Sequence, residues 1–284
     1  MSTAGGLPKA VERAVLHGCE ALQIFTKSPG QWRARPLPPD EVRRFRRDAE
    51  RAGLNPVVAH ASYLINLAAR DEPLRTRSIE SLQEELDRCD ALGLLGLVVH
   101  PGARTGGSDA EGLQLIARAL DQVFRSRRRG KALVLLEHTA GTGTVLGHRF
   151  EHLAFVLELM KNPRRVGVWL DTCHLLAAGY DITTETGYAA TFDGFDRLIG
   201  LPRLYGFHMN DSKRPLGSRI DRHEHIGKGC VGLEAFRRVL RDRRFATLPM
   251  LLETPKTEGR SGVRPQLDPL DAMNLNALRA LRGR

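Results

Sequence analysis

Short apolar runs recur along the chain, and one after another ends in a side chain that can bind a metal ion or carry a proton. Val57-Val58-Ala59 runs into His60 and Leu97-Val98-Val99 into His100. Leu133-Val134-Leu135-Leu136 runs into Glu137, and Val166-Gly167-Val168-Trp169-Leu170 into Asp171. Leu204-Tyr205-Gly206-Phe207 meets His208, and Met250-Leu251-Leu252 meets Glu253. Brief runs of this kind are the pattern of buried strands. Between them the spacing changes to threes and fours. Leu7, Ala10, Val11, Ala14 and Val15 share one helix face, and Ile79, Leu82, Leu86 and Cys89 share another.

The pattern predicts seven strands, at residues 21–25, 56–60, 95–100, 132–137, 166–170, 203–208 and 248–253. Helices are expected from residue 7, at 39–53, 73–92, 109–129 and 148–161, intermittently to 199, and at 233–243 and 268–281. Residues 210–231 read as one long irregular segment. Alternation of this kind implies a parallel sheet with helical crossovers. An open sheet gathers its site at one switch point, whereas a closed barrel gathers the ends of many strands. Metal-type ligands on six strand ends therefore predict a TIM-type (β/α)8 barrel, with residues 1–284 as a single catalytic domain. Eight strands close such a barrel and this chain opens on a helix, so a first strand is expected to be missing before Met1.

Composition narrows the class. Apolar residues make up 42% of the chain, enough for a large core. No apolar run reaches the roughly 18 residues of a membrane span, and no signal peptide is evident, so a cytoplasmic protein without a membrane partner is expected. Cys19, Cys89, Cys173 and Cys230 lie far apart without a C-x-x-C pair, which predicts buried thiols. The net charge of +10 suits a polyanionic partner, nucleic acid first, or simply high arginine usage.

Asp, Glu and His together suit zinc or manganese rather than a cysteine-built structural zinc. His174 follows Asp171 by three residues, so the first turn after the strand can bring both to one side. Asp221 and His223 form a D-x-H pair able to hold one ion from two sides. His138, His148 and His152 are weaker candidates. His225 is expected to be solvated, His17 to lie on a helix surface, and Cys173 to be an inert thiol. Gly102 to Gly107 and Gly227-Lys228-Gly229 lack the P-loop pattern and read as flexible mouth loops. Arg125 to Arg129 reads as a solvated basic face.

Several segments resemble the endonuclease IV family of apurinic/apyrimidinic-site endonucleases. They are Ser2-Thr3-Ala4-Gly5-Gly6-Leu7, Phe25-Thr26-Lys27, Gln31-Trp32, His60-Ala61-Ser62-Tyr63-Leu64-Ile65-Asn66-Leu67 and His100-Pro101-Gly102. Glu137 with Thr139-Ala140-Gly141, Asp171-Thr172-Cys173-His174, His208-Met209-Asn210-Asp211-Ser212-Lys213, Asp221-Arg222-His223 and Glu253-Thr254-Pro255 continue the match in order. The resemblance implies a barrel with three zinc ions, manganese being possible at one site. The expected partner is duplex DNA containing abasic sites, with the protein expected to be a monomer. The cut lies 5′ to the lesion, leaving a 3′-hydroxyl and a 5′ deoxyribose phosphate, with 3′ end-cleaning as a further activity.

By the same resemblance His60 and His100 hold one ion and Glu137 bridges it to a second. Asp171, His208 and Glu253 complete that second ion, and His174, Asp221 and His223 hold the third. Glu137, Asp171 and Glu253 count as catalytic; Gln31, Trp32, Tyr63, Leu64 and Arg222 as DNA contacts. Two ions under a carboxylate bridge lie about 3.5–4 Å apart and lower the pKa of shared water toward about 7. Two positions depart from the family: Gly30 stands where an arginine is expected, and His138 where an asparagine is usual.

Two other readings fit part of the pattern. Glu137, Asp171, His208 and Glu253 alone are the quartet of single-metal sugar isomerases and epimerases. A non-catalytic DNA-binding barrel is the other, against which the nine intact ligands stand.

Overall fold

The computed structural model describes residues 1–257, 262 and 264–283. In chain order the elements are α1 (Leu7–Leu16), β1 (Leu22–Ile24), α2 (Pro39–Arg51), β2 (Val57–His60), α3 (Glu72–Leu92) and β3 (Gly96–Val99). There follow α4 (Asp109–Ser126), β4 (Leu133–Glu137), α5 (Phe150–Leu159), β5 (Val166–Asp171), α6 (Thr172–Ala178) and α7 (Glu185–Leu198). The last are β6 (Leu204–His208), β7 (Asp211–Ser212), β8 (His223–Glu224), α8 (Gly232–Arg241), β9 (Met250–Leu251) and α9 (Pro269–Arg282). The seven predicted strands are β1 to β6 and β9, running in sequence order with helices between them. That is the succession of a TIM-type α/β fold. The segment expected to be irregular contains the antiparallel pair β7 and β8, with Ser212 opposite His223.

The chain packs as two compact units. The first comprises residues 1–136, 155–167 and 259–267. Its strands pair in parallel, with Leu22 opposite Val57, Ala59 opposite Leu97 and Gly96 opposite Leu133. Asp71 starts α3 by accepting the Leu74 N–H at 2.8 Å, and Gly93 ends it in the left-handed conformation at φ 71°. Ile79, Leu82, Leu86 and Cys89 are buried on one face, as their spacing requires. A capping box of Ser108 and Glu111 starts α4. That helix stops at Ser126, and Arg127 turns inward to Asp87 (Nε to Oδ1 2.7 Å) and Asp90. The run at 125–129 is therefore only partly a solvated face. His17 also departs from expectation: it is buried, and its Nδ1–H donates at 2.7 Å to the Arg13 carbonyl, which also accepts the His17 backbone N–H at 3.2 Å.

The second unit comprises residues 137–154, 168–258 and 268–284. Trp169 lies opposite Gly206, and Asp171 opposite His208; His208 in turn lies opposite Leu251. A side chain at Gly206 would collide with the fully buried Trp169 ring, so this register needs glycine there. The register sets Asp171 and His208 side by side at the strand ends.

The cysteines are not uniformly buried: Cys89 and Cys173 are, Cys19 is half-buried and Cys230 is exposed. Among the described residues no helix is long and apolar enough to cross a membrane.

Candidate metal centre

Asp171 is both the last residue of β5 and the N-cap of α6. Its Oδ1 accepts the N–H groups of Cys173 at 2.6 Å and His174 at 3.1 Å, which fixes the carboxylate. Its Oδ2 accepts the Asn210 amide at 2.6 Å. Asn210 Oδ1 in turn accepts the Glu253 N–H at 2.8 Å, so one side chain ties β5 to the end of β9.

Three imidazoles face these carboxylates, and for His174 and His223 a carbonyl acceptor sets the tautomer. The His174 Nδ1–H donates to the His138 carbonyl at 2.8 Å, which turns Nε2 toward Asp221 Oδ2 at 3.1 Å. The His223 Nδ1–H donates to the Glu253 carbonyl at 3.2 Å. Its Nε2 stands 3.3 Å from Asp221 Oδ1 and 3.5 Å from Asp171 Oδ2. His208 Nδ1 lies 2.8 Å from Glu137 Oε1 and 3.4 Å from Glu253 Oε2. Carbonyl acceptors behind ring nitrogens are how proteins aim histidine at a cation. Ligand atoms of Glu137, Asp171, His208 and Glu253 fall within 4.8 Å of one another, as do those of Asp171, His174 and His223.

The field at this cluster calls for positive charge. Burial opposes protonation of His223, yet Asp171 and Asp221 raise its pKa to about 9. Burial likewise opposes charge on His174 and His208, and the carboxylates around them still raise both. Burial would raise Asp221, but hydrogen bonds from His174 and His223 hold it well below the usual carboxylate range. A bound cation would meet that field. Mixed imidazole nitrogen and carboxylate oxygen is a donor set for zinc or manganese, so the residues fit such an ion.

In the first unit His60 and His100 face each other, ring centroids 5.5 Å apart. The His60 Nδ1–H donates to the Ala61 carbonyl at 2.9 Å. Tyr63 projects outward, 67% exposed, its base steadied by Phe25 and His60 at ring separations of 5.6 and 5.8 Å. Leu64 is half-buried beside it, and Gln31 is exposed. Trp32 is covered by the Arg77 guanidinium, 4.6 Å from its ring. A Cβ at Gly30 would meet nothing within 4 Å.

Lys27 and Glu85 fix these two loops to α3, a role that sequence reasoning missed because it is a tertiary contact. Lys27 Nζ donates to the Trp32 carbonyl at 3.0 Å and Ser81 Oγ at 2.7 Å, and lies 3.5 Å from Glu85 Oε1. Glu85 Oε1 also accepts the Ser62 N–H at 3.1 Å. Arg222 is exposed on the other unit, its Nη1 donating to its neighbour's carbonyl, that of Asp221, at 2.8 Å.

The remaining histidines are structural. His138 is fully buried against Phe150 and Tyr180, and its Nε2–H donates to the His148 carbonyl at 3.1 Å. Burial lowers its pKa to about 3, so it stays neutral. His148 donates from Nδ1 to the Val145 carbonyl at 2.9 Å, and His152 Nδ1 accepts the Gly147 N–H at 3.3 Å. His225 is half-buried rather than solvated, its Nδ1 accepting the Asn274 amide at 3.0 Å. Burial and Asp171 push the Cys173 thiol up to about 12, which makes it a poor nucleophile.

The chain is similar to known proteins over nearly its whole length. Residues 11–278 match the family described as xylose isomerase-like TIM barrel. A relative from Chloroflexus aurantiacus, named probable endonuclease 4, is 48% identical, the match covering 99% of this chain and 96% of the relative. The crystal structure of endonuclease IV from Thermus thermophilus superposes with a TM-score of 0.85 at 37% identity, covering 99% of this chain and 96% of that one. A D-tagatose 3-epimerase-like protein has the same fold, with a TM-score of 0.70 at 17% identity over 95% of this chain and 91% of its own.

Proposed function

The chain belongs to the endonuclease IV family, a TIM-barrel family, and on that premise we propose that it is a zinc-dependent endonuclease cutting duplex DNA 5′ to abasic sites. The products are a 3′-hydroxyl and a 5′ deoxyribose phosphate. The observation that carries this reading is the cluster of buried Glu137, Asp171, His174 and His208 with half-buried Asp221, His223 and Glu253, in which carbonyl acceptors behind His174 and His223 turn their Nε2 atoms toward the carboxylates.

His60 and His100 would hold a first ion, with Glu137 as bridge to a second held by Asp171, His208 and Glu253. His174, Asp221 and His223 would hold the third. Bound zinc supplies an activated water and positive charge for the anionic transition state and its leaving oxygen. The chain's own residues supply order. Asn210 and the N-terminus of α6 hold Asp171 so that it need not reorganise during reaction. Tyr63, projecting from its aromatic support, can enter the duplex where the missing base leaves a gap. Lesion recognition then follows from cost: an abasic nucleotide flips out with no base to unstack.

The epimerase reading has one observation behind it, the quartet of Glu137, Asp171, His208 and Glu253, which suffices for one cation. The second set around His174, Asp221 and His223 is surplus to a single-metal sugar enzyme and favours the nuclease. A duplex with one abasic analogue, incubated with protein of assayed metal content and resolved on a denaturing gel, tests the choice. A cut 5′ to the lesion, lost on chelation and restored by zinc, is expected. No cut by fully metallated protein would overturn the nuclease reading.

A further inference from the structure

The arm carrying Asp221 and His223 has little regular structure of its own: β7 and β8 are two residues each. A hairpin that short does not hold itself in water. What holds it is Asp211, which is fully buried and belongs to none of the candidate metal groups among the described residues. Its Oδ1 accepts the N–H groups of Ser212 and Val231, each at 2.8 Å, and its Oδ2 those of Gly227 at 2.9 Å and Gly229 at 3.1 Å. Four aligned N–H dipoles on one carboxylate form a closed anion cradle.

The cradle explains Gly227-Lys228-Gly229, expected to be a flexible mouth loop. Gly227 is left-handed at φ 77°, and a Cβ on Gly229 would come 2.5 Å from Asp211 Oδ1. The returning backbone reaches the carboxylate only without side chains there. Two backbone bonds close the frame on either side, Lys213 N–H to the Arg222 carbonyl at 2.9 Å and Cys230 N–H to the Ser212 carbonyl at 2.7 Å. The residues between them are those that carry Asp221 and His223.

We propose that Asp211 is the positioning residue of the third-ion arm, fixing where Asp221 and His223 stand. The inference rests on the metal-nuclease reading and adds a residue to it that is not a ligand. The test is zinc per chain in the holoprotein after dialysis against a weak chelator, in wild type, Asp211→Asn and Gly229→Ala. Asparagine keeps the shape but turns an amide donor toward the cradle, whereas alanine keeps the carboxylate and displaces the loop. Either variant is expected to lose one zinc while keeping the other two and its far-ultraviolet spectrum. A purely structural role would lower the melting temperature without singling out one ion. Should Asp211→Asn not fold, Gly229→Ala decides.

Full zinc content held as tightly as in wild type by the folded variants would overturn the proposal. A wild type with three zincs that leaves an abasic duplex uncut would sink the nuclease reading and not this one. If wild type binds fewer than three, amide exchange at residues 227, 229 and 231 decides. Exchange roughly tenfold or more faster in the variants supports the cradle, and unchanged exchange rejects it.

Discussion

The two units treat their histidines in opposite ways. In the first, His60 and His100 stand at strand ends beside aromatic rings, and the chain next to them carries side chains outward, Tyr63 above all. In the second, Glu137, Asp171, His174 and His208 are almost wholly buried and face one another. The first unit spends its loops on shape; the second concentrates charge. A DNA-cutting enzyme needs both, because finding a lesion is a question of what projects and breaking a phosphodiester is a question of field.

The sharpest way to break this comparison is Glu137→Ala. If the bridge assignment holds, cleavage should fall by about a thousandfold or more while DNA binding persists, as gel cleavage and binding assays would show. Near-normal turnover with full metal content would end it. Lys27→Met attacks the other side. It strands Glu85 in a site where both side chains are almost inaccessible, which costs about 3–5 kcal/mol in urea unfolding at neutral pH. Burial raises the Glu85 carboxyl, so the loss should shrink as the pH falls and the group takes up a proton. Zinc uptake at the cluster of the second unit should be unaffected.

Tyr63→Ala should raise KM for abasic duplex roughly tenfold and leave zinc content alone, a split that a metal ligand would not give. Gly30→Arg sharpens the same point in the opposite direction. Open space around Gly30 lets an arginine enter without displacing anything, and lesion affinity should rise by about fivefold, a value near 1 kcal/mol. The smallest effect is expected at Asp181, a carboxylate of the second unit outside the cluster. Hydrogen bonds from Thr184 and Thr183 lower its pKa to about 2. Its contribution is thus present above the ordinary aspartate pKa of about 3.9 and lost as pH falls through about 2. Asp181→Ala should leave both cleavage and zinc content unchanged at neutral pH.

Local pattern predicted the seven strands of the main sheet and the main helices, and pointed to candidate ligands at the ends of six of those strands, while the short pair β7 and β8 escaped it. An apolar run stopping at a carboxylate or imidazole needs only the strand's own geometry to place that group at the strand end. Asp171 and His174 were legible for the same reason, since strand, cap and first helical turn are contiguous. What only the tertiary structure decided lies where partners are far apart in sequence. The buried His17, the inward Arg127, the Lys27–Glu85 pair and the grip of Asp211 on Gly227, Gly229 and Val231 have no local signature. A buried polar group must find a partner wherever the fold offers one, and only the packed chain says where that is.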